Sequence, residues 1–116
     1  MTAATRLAEL GVSLPAVAAP LAAYVPAVRT GNLVYTSGQL PLAGGELIRT
    51  GKVGAEVSPE DAKAAARTCA LNALTAIDAL VGIDSVVRVV KVVGFVASSP
   101  GFSGQPGVVN GASEFL

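Results

Sequence analysis

Ala22-Ala23-Tyr24-Val25-Pro26-Ala27-Val28-Arg29-Thr30-Gly31-Asn32-Leu33-Val34-Tyr35-Thr36-Ser37-Gly38-Gln39-Leu40-Pro41-Leu42 is the stretch whose reading decides the fold. Two short apolar runs, Ala27–Arg29 and Leu33–Leu40, flank Thr30-Gly31-Asn32. Gly and Asn both tolerate positive φ, so the spacing predicts a tight hairpin turn. In the second run Leu33, Tyr35, Ser37 and Gln39 alternate with Val34, Thr36, Gly38 and Leu40 across the two faces. The Ser37-Gly38-Gln39 triplet is unusual so late in an apolar strand. It reads either as a bulge or edge distortion, or as a place where a ligand or another backbone comes close.

Outward from the hairpin, Thr2–Leu10 predicts a short helix with Leu7 and Leu10 on one face and Gly11 as its stop. Val12–Ala23 predicts an extended arm, because Pro15 and Pro20 forbid a helix there. Residues 1–23 thus form an N-terminal helix and arm. Gly11–Val28 carries no charge. A spanning helix would not hold Pro15, Pro20 and Pro26, and Glu9 is out of place in a signal peptide, so no membrane partner is expected.

After Ala43-Gly44-Gly45, Glu46–Arg49 predicts a third strand and Thr50–Val57 a Gly-rich loop. Ser58-Pro59-Glu60-Asp61 is a helix start: a capping hydroxyl, a proline at the first position and acids at the positive end. The helix should run to about Val81 and stop at Gly82. Ala62, Ala66, Cys69, Ala73, Ile77 and Leu80 share one stripe, expected to lie close on a sheet, with Glu60, Lys63, Arg67 and Asp78 opposite. Val86–Val96 is β-branched on both faces and predicts a central strand covered on both sides, one by the helix and one by another subunit. Arg88 and Lys91 on it read as snorkelling charges. Ser98–Pro106 predicts a loop. Gln105–Leu116 predicts a second helix with Val108, Val109, Ala112, Phe115 and Leu116 on its apolar side.

Composition narrows the function. The 116 residues suffice for a single domain and no repeat is present. Hydrophobic residues are 52% and charged residues 14%, which excludes a disordered chain and favours burial against other subunits. Eight basic and eight acidic residues balance, with no basic run, so nucleic acid is a disfavoured partner. The chain has no His, which removes His-based acid–base and nucleophile pairs. Cys69 is the only Cys, so no soft-metal cluster or internal disulfide is expected, as suits a reducing cytoplasm. On an apolar helix face it reads as a small hydrophobe. Gly51-Lys52 fails the phosphate-loop pattern, with Glu46 and Val53 at positions that need Gly and Ser or Thr.

Tyr24-x-x-Ala27-Val28-x-x-Gly31-Asn32-Leu33-Val34-Tyr35-x-Ser37-Gly38-Gln39-x-Pro41 resembles the N-terminal signature of the RidA (YjgF) family, the reactive intermediate deaminases. Val89-Val90-Lys91-x-x-x-Phe95-Val96, Phe102 and Val109-Asn110 extend the match. The resemblance implies an α+β, chorismate-mutase-like fold, a sheet packed on helices, as one RidA-like domain over residues 1–116. It implies homotrimers with ligand clefts between subunits, and hydrolysis of 2-imino or enamine acids to 2-keto acids and ammonia without metal or organic cofactor. Tyr24, Gly38 and Asn110 match cleft positions, and Ser37, Gln39 and Phe95 lie close in the motif; these six are the expected substrate-binding residues. The family's carboxylate-binding Arg and a following Glu match no residue here. Their positions would fall after Leu116, so the last strands are expected to be missing and activity impaired. A non-catalytic trimeric binder of 2-keto acids is the alternative, and an endoribonuclease a weaker one.

Overall fold

The computed structural model describes residues 2–19 and 21–116. Pro20, part of the expected arm, lies outside the described residues. The order is α1 (Ala3–Glu9), β1 (Ala27–Thr30), β2 (Leu33–Thr36), β3 (Leu42–Ala43), β4 (Glu46–Leu47), α2 (Pro59–Val81), a 3-10 turn (Ile83–Ser85) and α3 (Gln105–Ser113). The architecture is α+β, with helices against small antiparallel sheets.

Thr2 caps α1, its hydroxyl taking the Thr5 N–H, and Gly11 follows at φ 68°. β1 and β2 pair antiparallel with Thr30 opposite Leu33 and Ala27 opposite Thr36. The loop is therefore the two residues Gly31-Asn32. Only Gly31 takes positive φ, at 57°; Asn32 does not use the freedom expected of it. A first-position glycine with this sign matches the twist of the flanking strands. β2 ends at Thr36, not Leu40. The Ser37 N–H still bonds Pro26 O at 2.9 Å, and then the chain leaves the ladder at Ser37-Gly38-Gln39. β3 and β4 form a second hairpin around Gly44-Gly45, with Leu42 opposite Leu47. The expected third strand, Glu46–Arg49, is thus half of a hairpin and stops at Leu47.

α2 has the predicted limits. Ser58 accepts the Asp61 N–H, Pro59 opens the first turn, and Gly82 ends the helix at φ 81°. Its buried residues are Ala62, Ala70, Asn72, Thr75 and Ala76. Of the expected stripe only Ala62 is fully buried; Ala66, Cys69, Ala73 and Ile77 are half-buried and Leu80 is exposed. The buried arc is rotated because α2 has neighbours on more than one side. The β3 hairpin sits beside Asn72, and α3 crosses near Lys63. By length and composition alone α2 could cross a bilayer, yet it packs on α3 and on β1, β2 and β3.

α3 supplies the closest helix contact. A Cβ at Gly111 would run into the Lys63 backbone carbonyl, so glycine is what lets the two backbones meet. Around this crossing Val53, Val57, Ala62 and Val108 form the core, with Ala66, Val96 and Phe102 packed against it. The 50–57 loop is stitched in by the Val53 N–H to Ala97 O at 2.8 Å and the Ser99 N–H to Val53 O at 2.9 Å. Lys63 pairs with Glu114 at 3.0 Å, and the Arg67 guanidinium lies 4.9 Å from the Phe115 ring centre. These two cations, expected on a solvated face, border the α3 contact.

The Val86–Val96 strand does not form in the single chain. Among the described residues, 87–96 belong to no helix or strand and make no backbone hydrogen bond. Val87 and Phe95 are each 95% exposed and Val90 is 72% exposed. Gly94 nevertheless lies tight against Val109 of α3. The run has a helix at one place and, among the described residues, no strand paired with it, and an unpaired strand has nothing to hold its ladder.

Candidate functional site

The end of β2 and the arm before β1 meet in a recess of about 20 Å³. Tyr24, Gly38 and Gln39 line it, together with Leu21, Pro26 and Leu42. That volume is room for about one water. The Pro26 carbonyl fixes one rim by accepting from both the Ser37 N–H, at 2.9 Å, and the Ser37 hydroxyl, at 3.1 Å. Gln39 turns back, its Nε2 donating to Ser37 O at 3.4 Å. The Tyr24 hydroxyl accepts the Leu21 N–H at 3.2 Å, so its own proton remains available for a second partner.

The floor is tied down from below. Asn72, buried in α2, donates through Nδ2 to Leu40 O at 3.1 Å and Leu42 O at 3.0 Å. One amide group thus binds the Leu40 carbonyl, past the end of β2, and the Leu42 carbonyl of β3, and joins the recess to the longest helix. Sequence reasoning missed this residue. Its signal is a polar Asn between Leu71 and Ala73, in a half of α2 whose only other polar residues are Thr75 and Asp78.

Three of the six expected site residues, Tyr24, Gly38 and Gln39, therefore come together. Ser37 adjoins them through its bond to Pro26. Phe95 and Asn110 do not line this recess: Phe95 is almost wholly exposed on the 87–96 run, and Asn110 is exposed on α3. Among the described residues no charged side chain lines the recess. Gly38 has neither positive φ nor any atom within 4 Å of where a Cβ would stand. Nothing in its own chain requires a glycine there.

Other chemistry-bearing groups are structural. Burial pushes the Cys69 thiol pKa up, which disfavours a thiolate nucleophile. The Glu56 carboxyl is held below its ordinary range by the backbone N–H of Lys52, which reaches its Oε2 at 2.8 Å and clips the 50–57 loop. Among the described residues no three His, Cys, Asp or Glu side chains gather in a metal-holding cluster.

Residues 4–116 match the family described as "YjgF/chorismate mutase-like, putative endoribonuclease". Protein TCP17 of Trypanosoma cruzi is 44% identical over 114 residues, covering 97% of this chain and 71% of that protein. A solved structure of Atu1372 from Agrobacterium tumefaciens, a protein of unknown function, superposes with TM-score 0.82 at 46% identity, over 97% of this chain and 68% of that one. A "putative endoribonuclease" from Shewanella oneidensis MR-1 superposes with TM-score 0.85 at 30% identity, over 98% and 76%. The chain belongs to the YjgF/chorismate mutase-like family.

Proposed function

We propose that this protein binds a small 2-imino or 2-keto carboxylate beside Tyr24, Gly38 and Gln39, in a cleft completed by a neighbouring subunit of a homotrimer. One observation carries the reading. Gly38 lines the recess together with Tyr24 and Gln39, and neither positive φ nor a neighbouring atom of its own chain calls for glycine there. A glycine so placed suits close approach of something from outside. Ser37, Phe95 and Asn110 complete the proposed binding set, Phe95 and Asn110 from surfaces that assembly would bring to the cleft.

The chemistry is hydrolysis of the imine. Water adds to the imine carbon, the resulting carbinolamine loses its C–N bond, and ammonia leaves a 2-keto acid. The Tyr24 hydroxyl orients the water or the imine nitrogen. The recess itself offers no cation to hold the carboxylate, and a carboxylate without a bidentate Arg lacks its strongest anchor. The 116-residue chain is therefore expected to bind weakly and to turn substrate over slowly. The reading needs no metal or organic cofactor.

Pyruvate titration followed by amide NMR tests the binding. Shifts confined to Tyr24, Ser37–Gln39 and their surroundings, saturating near about 10 mM, are expected of a weak anion site. Shifts elsewhere, or none, contradict the reading. Ammonia released above the spontaneous rate from freshly generated 2-aminoacrylate then separates hydrolase from binder. The description of the Shewanella relative favours a second reading, RNA cleavage. Salt-sensitive RNA binding with strand scission would support it against the balanced charge of this chain.

A further inference from the structure

Residues 38–48 run from the end of β2 through the β3–β4 hairpin, which pairs with neither β1 nor β2. Among the described residues, no backbone hydrogen bond joins 38–48 to the rest of the chain. Just upstream, Ser37 is fastened to Pro26 O through both its N–H and its hydroxyl. Among the described residues, the one helix residue bonded to 38–48 is Asn72, whose Nδ2 donates to Leu40 O at 3.1 Å and to Leu42 O at 3.0 Å. The Leu42 N–H also bonds Leu40 O, at 2.8 Å, but that bond closes the turn at Pro41 and ties it to nothing outside.

Gly38 and Gln39 therefore sit between two anchors, Ser37 on one side and Asn72 on the other. Burial does little to hold them: Gly38 is exposed and Leu40 is 45% exposed. Glycine has the widest backbone freedom of any residue, so a wall that contains one keeps a single shape only if its ends are held. Asn72 is a firm anchor, 4% exposed on the helix that packs on α3. Its amide is the group the place requires, since both acceptors are carbonyls and one NH2 supplies two donors. Gly38, Gln39, Leu40 and Leu42 all line the recess, so the carbonyls that Asn72 grips belong to the wall itself.

We propose that Asn72 is the positioning residue of the Gly38 recess. It does not line the recess; it acts by holding the Gly38–Leu42 wall in the one conformation that a ligand meets. The ligand's part rests on the binding site proposed above. A freed wall populates several conformations, and affinity falls by the fraction that stays competent.

The test is pyruvate titration followed by amide NMR, with 15N relaxation of the free proteins. Asn72→Leu is expected to weaken pyruvate about five- to ten-fold and to lower the order parameters of Gly38–Leu40 from about 0.85 toward about 0.6. Asn72→Ser keeps one donor and disturbs folding less, so both effects are smaller; it decides the matter if Asn72→Leu does not fold. Ala66→Leu, on the same helix but against the core cluster, is the control and leaves affinity and order at 38–40 unchanged. Parental affinity in the Asn72 variants overturns the proposal. So does an equal loss in Ala66→Leu, because affinity then follows general stability. No pyruvate binding by the parent overturns the proposed function and the ligand step with it. Lowered order confined to 38–42 in the Asn72 variants then still supports the hold on the wall, and unaltered order overturns that as well.

Discussion

The α2–α3 pair and the Val86–Val96 run both carry strong apolar patterns, and the chain treats them in opposite ways. The helices close on each other. Gly111 meets the Lys63 backbone, Val108 joins Val53, Val57 and Ala62, and the buried positions are small residues in tight contact. The run is left open, with Val87 and Phe95 each 95% exposed and, among the described residues, no strand paired with 87–96. A hydrophobic pattern states which face needs covering but not what covers it. Local helix signals answer the second question within the chain; a strand's partner lies elsewhere by nature.

Gly111→Ala presses hardest on this contrast. The new Cβ meets backbone, which cannot rotate away, so the helices must separate. A loss of about 3 kcal/mol is expected, read as a lower midpoint of chemical unfolding with unchanged slope. An unchanged midpoint would mean that the crossing is looser than described.

Asn72→Leu comes next. It removes the amide that serves Leu40 O and Leu42 O; Leu40 O keeps the Leu42 N–H at 2.8 Å, while Leu42 O loses its side-chain donor. The expected cost is about 2 kcal/mol, with faster amide exchange confined to the second hairpin. Exchange that rises evenly across the molecule would argue against a local tether.

Ala66→Leu is milder. Ala66 is half-buried against the core cluster, so overpacking should cost about 1–2 kcal/mol, less than at Gly111. A larger loss than at Gly111 would reverse the order of the two contacts.

Much of this was legible in the sequence. Ser58, Pro59 and Gly82 each act through one local rule, so α2 starts at the expected Pro59 and ends at the expected Gly82. Gly31 marked the first hairpin for the same reason. The errors lie where distant partners decide. The buried arc of α2 turned toward Asn72 because a hairpin 30 residues away in sequence docks there. Glu46-Leu47 joined Leu42-Ala43, since a two-residue strand has too short a pattern to show its partner. The site was legible in part. Tyr24, Gly38 and Gln39 are close in the chain and meet within it, whereas Phe95 and Asn110 stand on separate surfaces.

Phe95→Ser gives the smallest effect inside the chain and the sharpest one between chains. The side chain is 95% exposed, so unfolding of an isolated chain should change by about 0.5 kcal/mol or less. Sedimentation equilibrium at micromolar concentration, on the parent and on Phe95→Ser, tests the central claim that other subunits cover the Val86–Val96 run. The account predicts a trimer for the parent and a shift toward monomer for the variant. A parent that is a stable monomer, with the run still exposed, would contradict it.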